Sequence, residues 1–546
     1  LHTSISLSGS IDLKLAHGGK SLILSSKQHQ VDPNFVGLYV RKITFARSRI
    51  KMLLMRCFPV TLSILLWASQ AYAVKPNVLI FYTDDQGYGD RGKYNPGILN
   101  MPELEALSAN GLEFTDGHTG AAVCTPARFA LLTGTYAFRQ NPAGGAIEAD
   151  DSPMIPGYYT LANLFKTAGY RTLMSGKWHL GMNMPDDLVN GVIEGGPTDS
   201  GFDEFFGIPA SMNYGWLSYI RGNMFVEAPD VLTKKVKEGE GSIVSCPSGE
   251  EDCVTFGLEF PYSATSGDIS VGPSYRAHYC LSNMTYEAID MLERHVANYP
   301  SQPFFLYLSV TAPHLPHTPH PDFVGITSYG AYADYLEEID YRLGQIMETL
   351  RQLGVYENTL LIFTSDNGTE EKDKYVETNL NSTWIYRGEK RDLWEGGHRV
   401  PFVMHWPDQI KANSTWAEPV SQVDFMATFA AMTNTTLPSG AGKDSFSLWA
   451  VLKDVDTASS MNVRENQPLV AEDDQGRLMV RCNTFKWLQV KRSKLYDLKQ
   501  QPSEIKPYKG ANRKKYKKLL RKAEKEIYRH GHSSKTAVCN KFLLSD

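Results

Sequence analysis

Cysteine is scarce in this chain, with seven residues in 546 and no C-x-x-C pair among them, which argues against zinc held by thiolates. Long apolar runs are missing too. The run at 58–67 falls short of the ~20 residues a membrane-spanning helix needs, so no membrane span is expected. No charge of one sign dominates. Lys and Arg number 55 against 60 Asp and Glu, for a net charge of -5, and nothing marks nucleic acid as a partner.

What is present begins with an export signal. Met55-Arg56, the apolar run and Ala71-Tyr72-Ala73 read as a secretory signal peptide at 55–73, cleaved before Val74. No Cys follows the cleavage site, which argues against a lipid anchor, and the mature protein is expected to be secreted or periplasmic. Residues 1–54 are read as an upstream segment outside the mature protein. Residues 74–440 are read as a catalytic domain and 441–546 as a smaller C-terminal unit. Of the cysteines left after the signal, Cys246 and Cys253 flank a short polar loop, where export would allow a disulfide, although connectivity is open.

Short apolar strands alternate with helical segments, the pattern of a mostly parallel sheet sandwiched by helices in an α/β fold. The strands are read at 77–83, 170–174, 304–310, 360–364 and 400–404. Between the third and fourth, Leu336, Ile339, Leu343, Ile346, Met347 and Leu350 recur at helical spacing, which makes 335–353 a crossover helix. In the C-terminal unit, 477–481 and 484–490 read as antiparallel strands and the basic run 506–525 as a helix. That run is read as a solvated face, with attraction to a sulfated polyanion as the alternative.

Polar clusters follow four of these strands: Asp84-Asp85, Lys177 with His179, His314, and Asp366-Asn367-Gly368. In open α/β sheets ligands bind beyond the carboxyl ends of the strands, so the four loops should converge on one crevice. A fifth segment, C-T-P-A-R-F-A-L-L-T-G at 124–134, reads as a helix capped by Thr125, opened by Pro126 and stopped at Gly134. Cys124 would sit where helix N–H groups gather an anion, with Arg128 one turn in.

Asp84, Asp85, Asp366 and Asn367 offer only oxygen ligands, which suits a hard divalent cation, calcium or magnesium rather than zinc or copper. Lys177, Arg128 and Lys390 add positive charge, and His179 and His314 can move protons near neutral pH. Together they fit transfer of a tetrahedral oxyanion with an alcohol leaving group. A cysteine-dependent phosphatase fits badly, because three residues rather than five separate Cys124 from Arg128.

The segment 124–134, together with P-N-V-L-I-F-Y-T-D-D-Q-G-Y-G-D (76–90), G-K-W-H-L-G (176–181), A-P-H (312–314), S-D-N-G (365–368), R-G-E-K-R-D-L-W-E-G-G-H-R-V-P (387–401) and L-Y-D-L (495–498), resembles the type I sulfatases of the alkaline phosphatase superfamily in motif and order. The resemblance implies a sulfuric ester hydrolase whose Cys124 is oxidised to formylglycine by a maturation enzyme. The hydrated aldehyde would provide the nucleophilic oxygen. By the same resemblance Asp84, Asp85, Asp366 and Asn367 bind one calcium ion together with the modified Cys124. Arg128 holds the aldehyde hydrate, and Lys177 and Lys390 bind sulfate oxygens. His179 takes a proton as sulfate is expelled, His314 protonates the leaving alcohol, and Asp366 activates the attacking hydroxyl. A small C-terminal domain beside the catalytic sheet is implied as well.

His398 departs from the family's usual aliphatic residue after E-G-G and either contacts substrate or packs. His317 and His320, in H-L-P-H-T-P-H, are read as lining the substrate pocket or an exposed loop, and the insert at 212–280 as shaping that pocket. The expected substrate is a sulfated polysaccharide or oligosaccharide, with a carrageenan-like algal galactan preferred. A phosphonate or phosphodiester hydrolase of the same superfamily, and a catalytically silent sugar-binding homologue, are the alternatives.

Overall fold

The computed structural model describes residues 75–233, 269–370, 380–458, 463–464, 467–530 and 539. The loop between Cys246 and Cys253 and the signal at 55–73 lie outside the described residues. In chain order the first half holds β1 (Asn77–Thr83), α1 (Pro102–Ala109), β2 (Leu112–Phe114), β3 (Gly117–His118), α2 (Cys124–Thr133), α3 (Leu161–Thr167), β4 (Arg171–Lys177), β5 (Glu204–Ile208), β6 (Ile220–Arg221), β7 (Met224–Phe225), β8 (Val231–Thr233) and β9 (Ile269–Val271). The second half holds α4 (Cys280–Asn298), β10 (Phe304–Ser309), α5 (Ala331–Gln352), β11 (Thr359–Ser365), β12 (Phe402–His405), β13 (Ser414–Trp416), β14 (Val420–Ser421), α6 (Phe425–Thr433), β15 (Leu469–Glu472), β16 (Leu478–Cys482), β17 (Phe485–Leu488), β18 (Lys494–Asp497) and α7 (Arg513–His530).

Ten strands form one sheet in the order β13-β2-β12-β11-β1-β10-β4-β5-β6-β7. Its centre, β11-β1-β10-β4-β5, is parallel throughout. β1 is buried along its whole length, as a strand covered on both faces must be. Its side chains alternate accordingly. Val78, Ile80 and Tyr82 join a core with Phe129 of α2, Phe165 of α3 and Phe429 of α6. Leu79 and Phe81 join the opposite core, with Leu104 of α1, Leu292 of α4 and Leu343 of α5. The result is helix on sheet on helix.

The fold class is the one the strand pattern predicts, with local corrections. The last predicted strand occupies 402–405 and runs antiparallel to β11, so the sheet is mixed. Apolar content marks a buried strand without giving its direction. The crossover helix begins four residues before the predicted start, at Ala331. The C-terminal sheet has four antiparallel strands, β15-β16-β17-β18, where two are predicted. α7 lies at 513–530 and packs Tyr516, Leu520, Ala523 and Ile527 onto that sheet, leaving most of its Lys and Arg exposed. A disulfide joins Cys482 to Cys539, a pairing that spacing does not reveal.

Candidate active site

The strand order β11-β1-β10-β4 puts four carboxyl ends side by side. Asp366-Asn367, Asp84-Asp85, His314 and Lys177-His179 therefore emerge next to one another, as a crevice at strand ends requires. Close approach of β4 and β10 depends on Gly176, which has φ 119° and where a Cβ would lie 1.9 Å from the Ser309 carbonyl oxygen. Asp85 and His179 hold left-handed backbone, at φ 67° and 60°, a conformation that costs on the order of 1 kcal/mol for such residues and gathers at functional sites.

α2 supplies the fifth element. The helix starts at Cys124, directly after extended Val123, and no side chain among the described residues caps it. Thr125 is thus already inside the helix rather than at its cap, and its hydroxyl accepts from the Ile147 N–H at 3.3 Å. Gly134 closes the helix in left-handed geometry, as predicted. All ten side chains of α2 are buried.

Three cations are fixed around this point, each by two or more partners. Arg128 donates Nε and Nη2 to Asp366 Oδ2 at 3.0 and 2.7 Å and Nη1 to Ser309 Oγ at 2.5 Å. Lys177 Nζ donates to Asp84 Oδ2 at 2.7 Å and Ser211 Oγ at 2.5 Å. Lys390 Nζ donates to Asp85 Oδ2 at 2.7 Å and Glu370 Oε2 at 2.9 Å. Burial pushes Lys390 down, but Asp85, Cys124 and Glu370 outweigh it and hold the ammonium well above its usual range. Burial likewise opposes the Arg128 charge, and Asp366 and Asp84 overcome it. Asp84 stays well below the carboxylate range because Lys177, His314 and Arg128 outweigh its burial.

His179 is held well below its usual range by burial and by the charges of Lys177 and Arg128, so its ring is neutral. Nε2 lies 3.0 Å from the Ile147 carbonyl oxygen, which makes it the donor and leaves Nδ1 the free lone pair. Nδ1 is buried and has no hydrogen-bond partner among the described residues. On His314, Nδ1 faces the Leu315 carbonyl oxygen at 2.6 Å and Nε2 lies 3.6 Å from Asp85 Oδ2.

The oxygen donors here fit a hard cation. Ligand atoms of Asp84, Asp85, Cys124 and His314 all lie within 4.8 Å of one another. Asp366 Oδ1 accepts from the Asp85 N–H at 3.1 Å, and Asn367 Nδ2 donates to Asp85 Oδ1 at 2.6 Å. Among the described residues neither Asp84 Oδ1, which faces Arg128 Nη2 at 3.5 Å, nor Asn367 Oδ1 has a hydrogen-bond partner, a costly state for buried oxygens that coordination to a cation would relieve.

All six residues predicted to be catalytic, with Asp84, Asp85, Asp366 and Asn367, are brought together. His398 is not among them. Its ring is buried, with Nδ1 2.9 Å from His118 Nδ1 and Nε2 3.1 Å from Lys486 Nζ, so both nitrogens are taken up by protein and the packing alternative describes it. His317 is buried with its ring 5.1 Å from that of Tyr332. His320 instead caps the turn Pro321–Phe323. Ser211, Ser309 and Glu370, which hold the three cations, are absent from the sequence reading. None belongs to a motif singled out in the sequence, although Ser211 borders the insert at 212–280 and Glu370 follows S-D-N-G by two residues.

A family model described as Sulfatase matches residues 76–435, and one described as N-sulphoglucosamine sulphohydrolase, C-terminal, matches 385–532. An N-acetylgalactosamine-6-O-sulfatase of Bacteroides thetaiotaomicron is 31% identical over 387 residues, covering 68% of this chain and 75% of the relative. The steryl-sulfatase of Rattus norvegicus is 31% identical over 401 residues, covering 67% of this chain and 68% of the relative. Among solved structures, a Bacteroides thetaiotaomicron protein from work on the metabolism of multiple glycosaminoglycans superposes with a TM-score of 0.71 at 27% identity, covering 84% of this chain and 99% of its own.

Proposed function

Because the chain belongs to the formylglycine-dependent sulfatase family of the alkaline phosphatase superfamily, and so is a sulfuric ester hydrolase, we propose that it removes sulfate from a sulfated carbohydrate with an oxygen nucleophile made from Cys124. The observation that carries this reading is the convergence of three buried cations, Arg128, Lys177 and Lys390, and three buried carboxylates, Asp84, Asp85 and Asp366, at the start of α2. Oxidation of Cys124 to formylglycine by a maturation enzyme would supply the hydrated aldehyde that such chemistry needs. A calcium ion held by Asp84, Asp85, Asp366 and Asn367 beside Cys124 would neutralise those carboxylates and polarise a sulfate oxygen.

The chain's own residues supply the rest. Lys177 and Lys390 bind sulfate oxygens through ammonium groups that two acceptors each keep in place, so little reorganisation is needed as charge shifts in the transition state. Arg128, forked onto Asp366, holds the residue-124 side chain at the helix end. Neutral His179 accepts a proton at Nδ1. His314 Nδ1 donates to the Leu315 carbonyl oxygen, so the ring acts through Nε2: as the imidazolium it delivers the Nε2 proton to the departing alcohol oxygen and is left neutral.

The relative named for N-acetylgalactosamine 6-sulfate supports a sugar as the alcohol, whereas the relative named for steryl sulfate shows a comparable likeness to an enzyme of another substrate. A desulfation screen over carrageenan oligosaccharides, N-acetylgalactosamine 6-sulfate and a steryl sulfate tests this directly. Turnover of a sugar sulfate is expected, and turnover of the steryl ester alone would overturn the carbohydrate reading. Mass spectrometry of the Cys124 peptide should show the aldehyde in active protein, and Cys124→Ala should abolish turnover. Full activity with an unmodified thiol would overturn the nucleophile.

Export to the periplasm or beyond is part of the same proposal, supported by the Cys482–Cys539 disulfide, since such bonds persist in oxidising compartments. No helix among the described residues is long and apolar enough to cross a membrane. Division into a catalytic domain at 74–440 and a C-terminal unit at 441–546 is supported by the separate sheet β15–β18, although the core beneath α7 also takes in Tyr136, Phe138 and Val423.

A further inference from the structure

Arg391 stands apart from the other cations of the site. Side chains of Arg128, Lys177 and Lys390 are no more than 2% exposed, whereas that of Arg391 is 48% exposed. Its backbone is nonetheless tied to the reacting centre. The Arg391 N–H donates to the Ala122 carbonyl oxygen at 2.7 Å, two residues before Cys124, and the residue holds left-handed backbone at φ 71°. A bulky side chain in that region is a strained choice that surrounding structure must enforce.

The guanidinium is anchored as well as exposed. Nη1 pairs with Glu370 Oε1, and Glu370 Oε2 accepts from Lys390 Nζ at 2.9 Å. A relay Arg391–Glu370–Lys390–Asp85 therefore leads from solvent to the buried cluster. Burial opposes the Arg391 charge, yet Glu370, Asp85 and Cys124 together raise its basicity. Its charge is also felt at Tyr214, whose ring meets that of His179 edge-on at 4.7 Å. Nε and Nη2 have no partner among the described residues. An anchored, solvent-facing fork with two free donor groups is a receptor for an oxyanion, which guanidinium binds in bidentate fashion.

We propose that Arg391 is a specificity residue, binding a second oxyanion carried by the substrate next to the sulfate ester that is cleaved. The favoured substrates would then be glycans with two neighbouring negative groups, either a second sulfate or a uronate carboxylate. The inference rests on the sulfatase reading and narrows its substrate class. Glu370 acts as a positioning residue, holding Arg391 outward while holding Lys390 inward.

The test measures kcat/KM for three sugars: N-acetylgalactosamine 6-sulfate, its 4,6-disulfate, and a disaccharide joining the 6-sulfated sugar to a uronic acid. The second and third distinguish a sulfate from a carboxylate as the extra group. Wild-type protein should prefer at least one dianionic sugar, and Arg391→Gln should cut that preference by about 10- to 100-fold, the range for losing a charged hydrogen-bond pair. Arg391→Lys, which keeps the charge and the Glu370 pair, should retain part of it and covers poor folding of the first variant. Equal losses on all three sugars, or no change in their ratio, would overturn the proposal. If wild-type protein turns over none of the sugars but hydrolyses an aryl sulfate, the carbohydrate reading falls. Arg391 is then judged by the same ratio on aryl sulfates with and without a ring carboxylate.

Discussion

Ser211 carries one hydroxyl and sits in no motif, yet it shares the Lys177 ammonium with Asp84. Removing it should let Nζ swing towards Asp84 and away from the sulfate. Ser211→Ala is expected to lower kcat/KM about tenfold, as befits one hydrogen bond to a charged group, with the melting temperature moved by less than about 3 °C. A large loss of stability with unchanged kinetics in the surviving fraction would contradict the role. Residues of this kind explain what the sequence could not disclose. Asp84, Asp85, Lys177, His179, His314 and Asp366 were legible because each follows a strand, and the topology of a parallel sheet then dictates where they meet. Ser211, Ser309 and Glu370 act through approaches between segments far apart in the chain, for which no local pattern exists. His398 shows the opposite failure, since it neighbours a motif but turns its ring to His118 and Lys486.

At the scale of elements, β15 and β17 each deliver a buried ionisable group with measurable consequences. Lys486 of β17 is fully buried and reaches Glu395 at 2.8 Å and Glu504 at 3.1 Å, joining the C-terminal sheet to the turn Glu395–His398. Lys486→Met would take the ammonium from Glu504 and leave Glu395 with Arg399 at 3.0 Å and Arg481 at 3.8 Å, and should cost about 3 kcal/mol in urea unfolding; a neutral outcome would mean that the two arginines and packing hold the turn. Glu472 of β15 accepts from the Phe138 N–H at 3.1 Å, and burial, followed by the charge of Asp473, pushes its carboxyl up from 4.5 to about 8. The native state therefore keeps a proton that the unfolded chain releases. This contribution is whole below pH 4.5 and is lost as pH rises towards about 8. Glu472→Gln, which mimics the protonated form, should raise the melting temperature relative to wild type by an amount that grows from pH 5 to about pH 8. A constant difference across that window would exclude the linkage. Neither group was foreseeable, because only the stretches of β16 and β17 read as strands, on their apolar pattern, and β15 did not stand out.

For the molecule as a whole, the clearest handle is the cation that the buried carboxylates fit. A ligand held by the native state but not by the unfolded chain adds about 2.7 kcal/mol at a hundredfold excess over its dissociation constant. Chelation with EGTA should thus lower the melting temperature by several degrees and abolish turnover. Both effects should be reversed by calcium and not by matched ionic strength. Stability indifferent to EGTA would remove calcium from the proposal.

Cys124 is 1% exposed at the head of a helix whose ten side chains are all buried. No protein-sized catalyst can reach a thiol placed there. Under the proposed chemistry, time therefore becomes a component of the active site: conversion has to happen while the chain is still open, and folding ends the opportunity. Protein refolded from denaturant without prior conversion would regain its shape and remain chemically mute. Two preparations with identical melting curves could then differ wholly in activity, according to the order in which they matured.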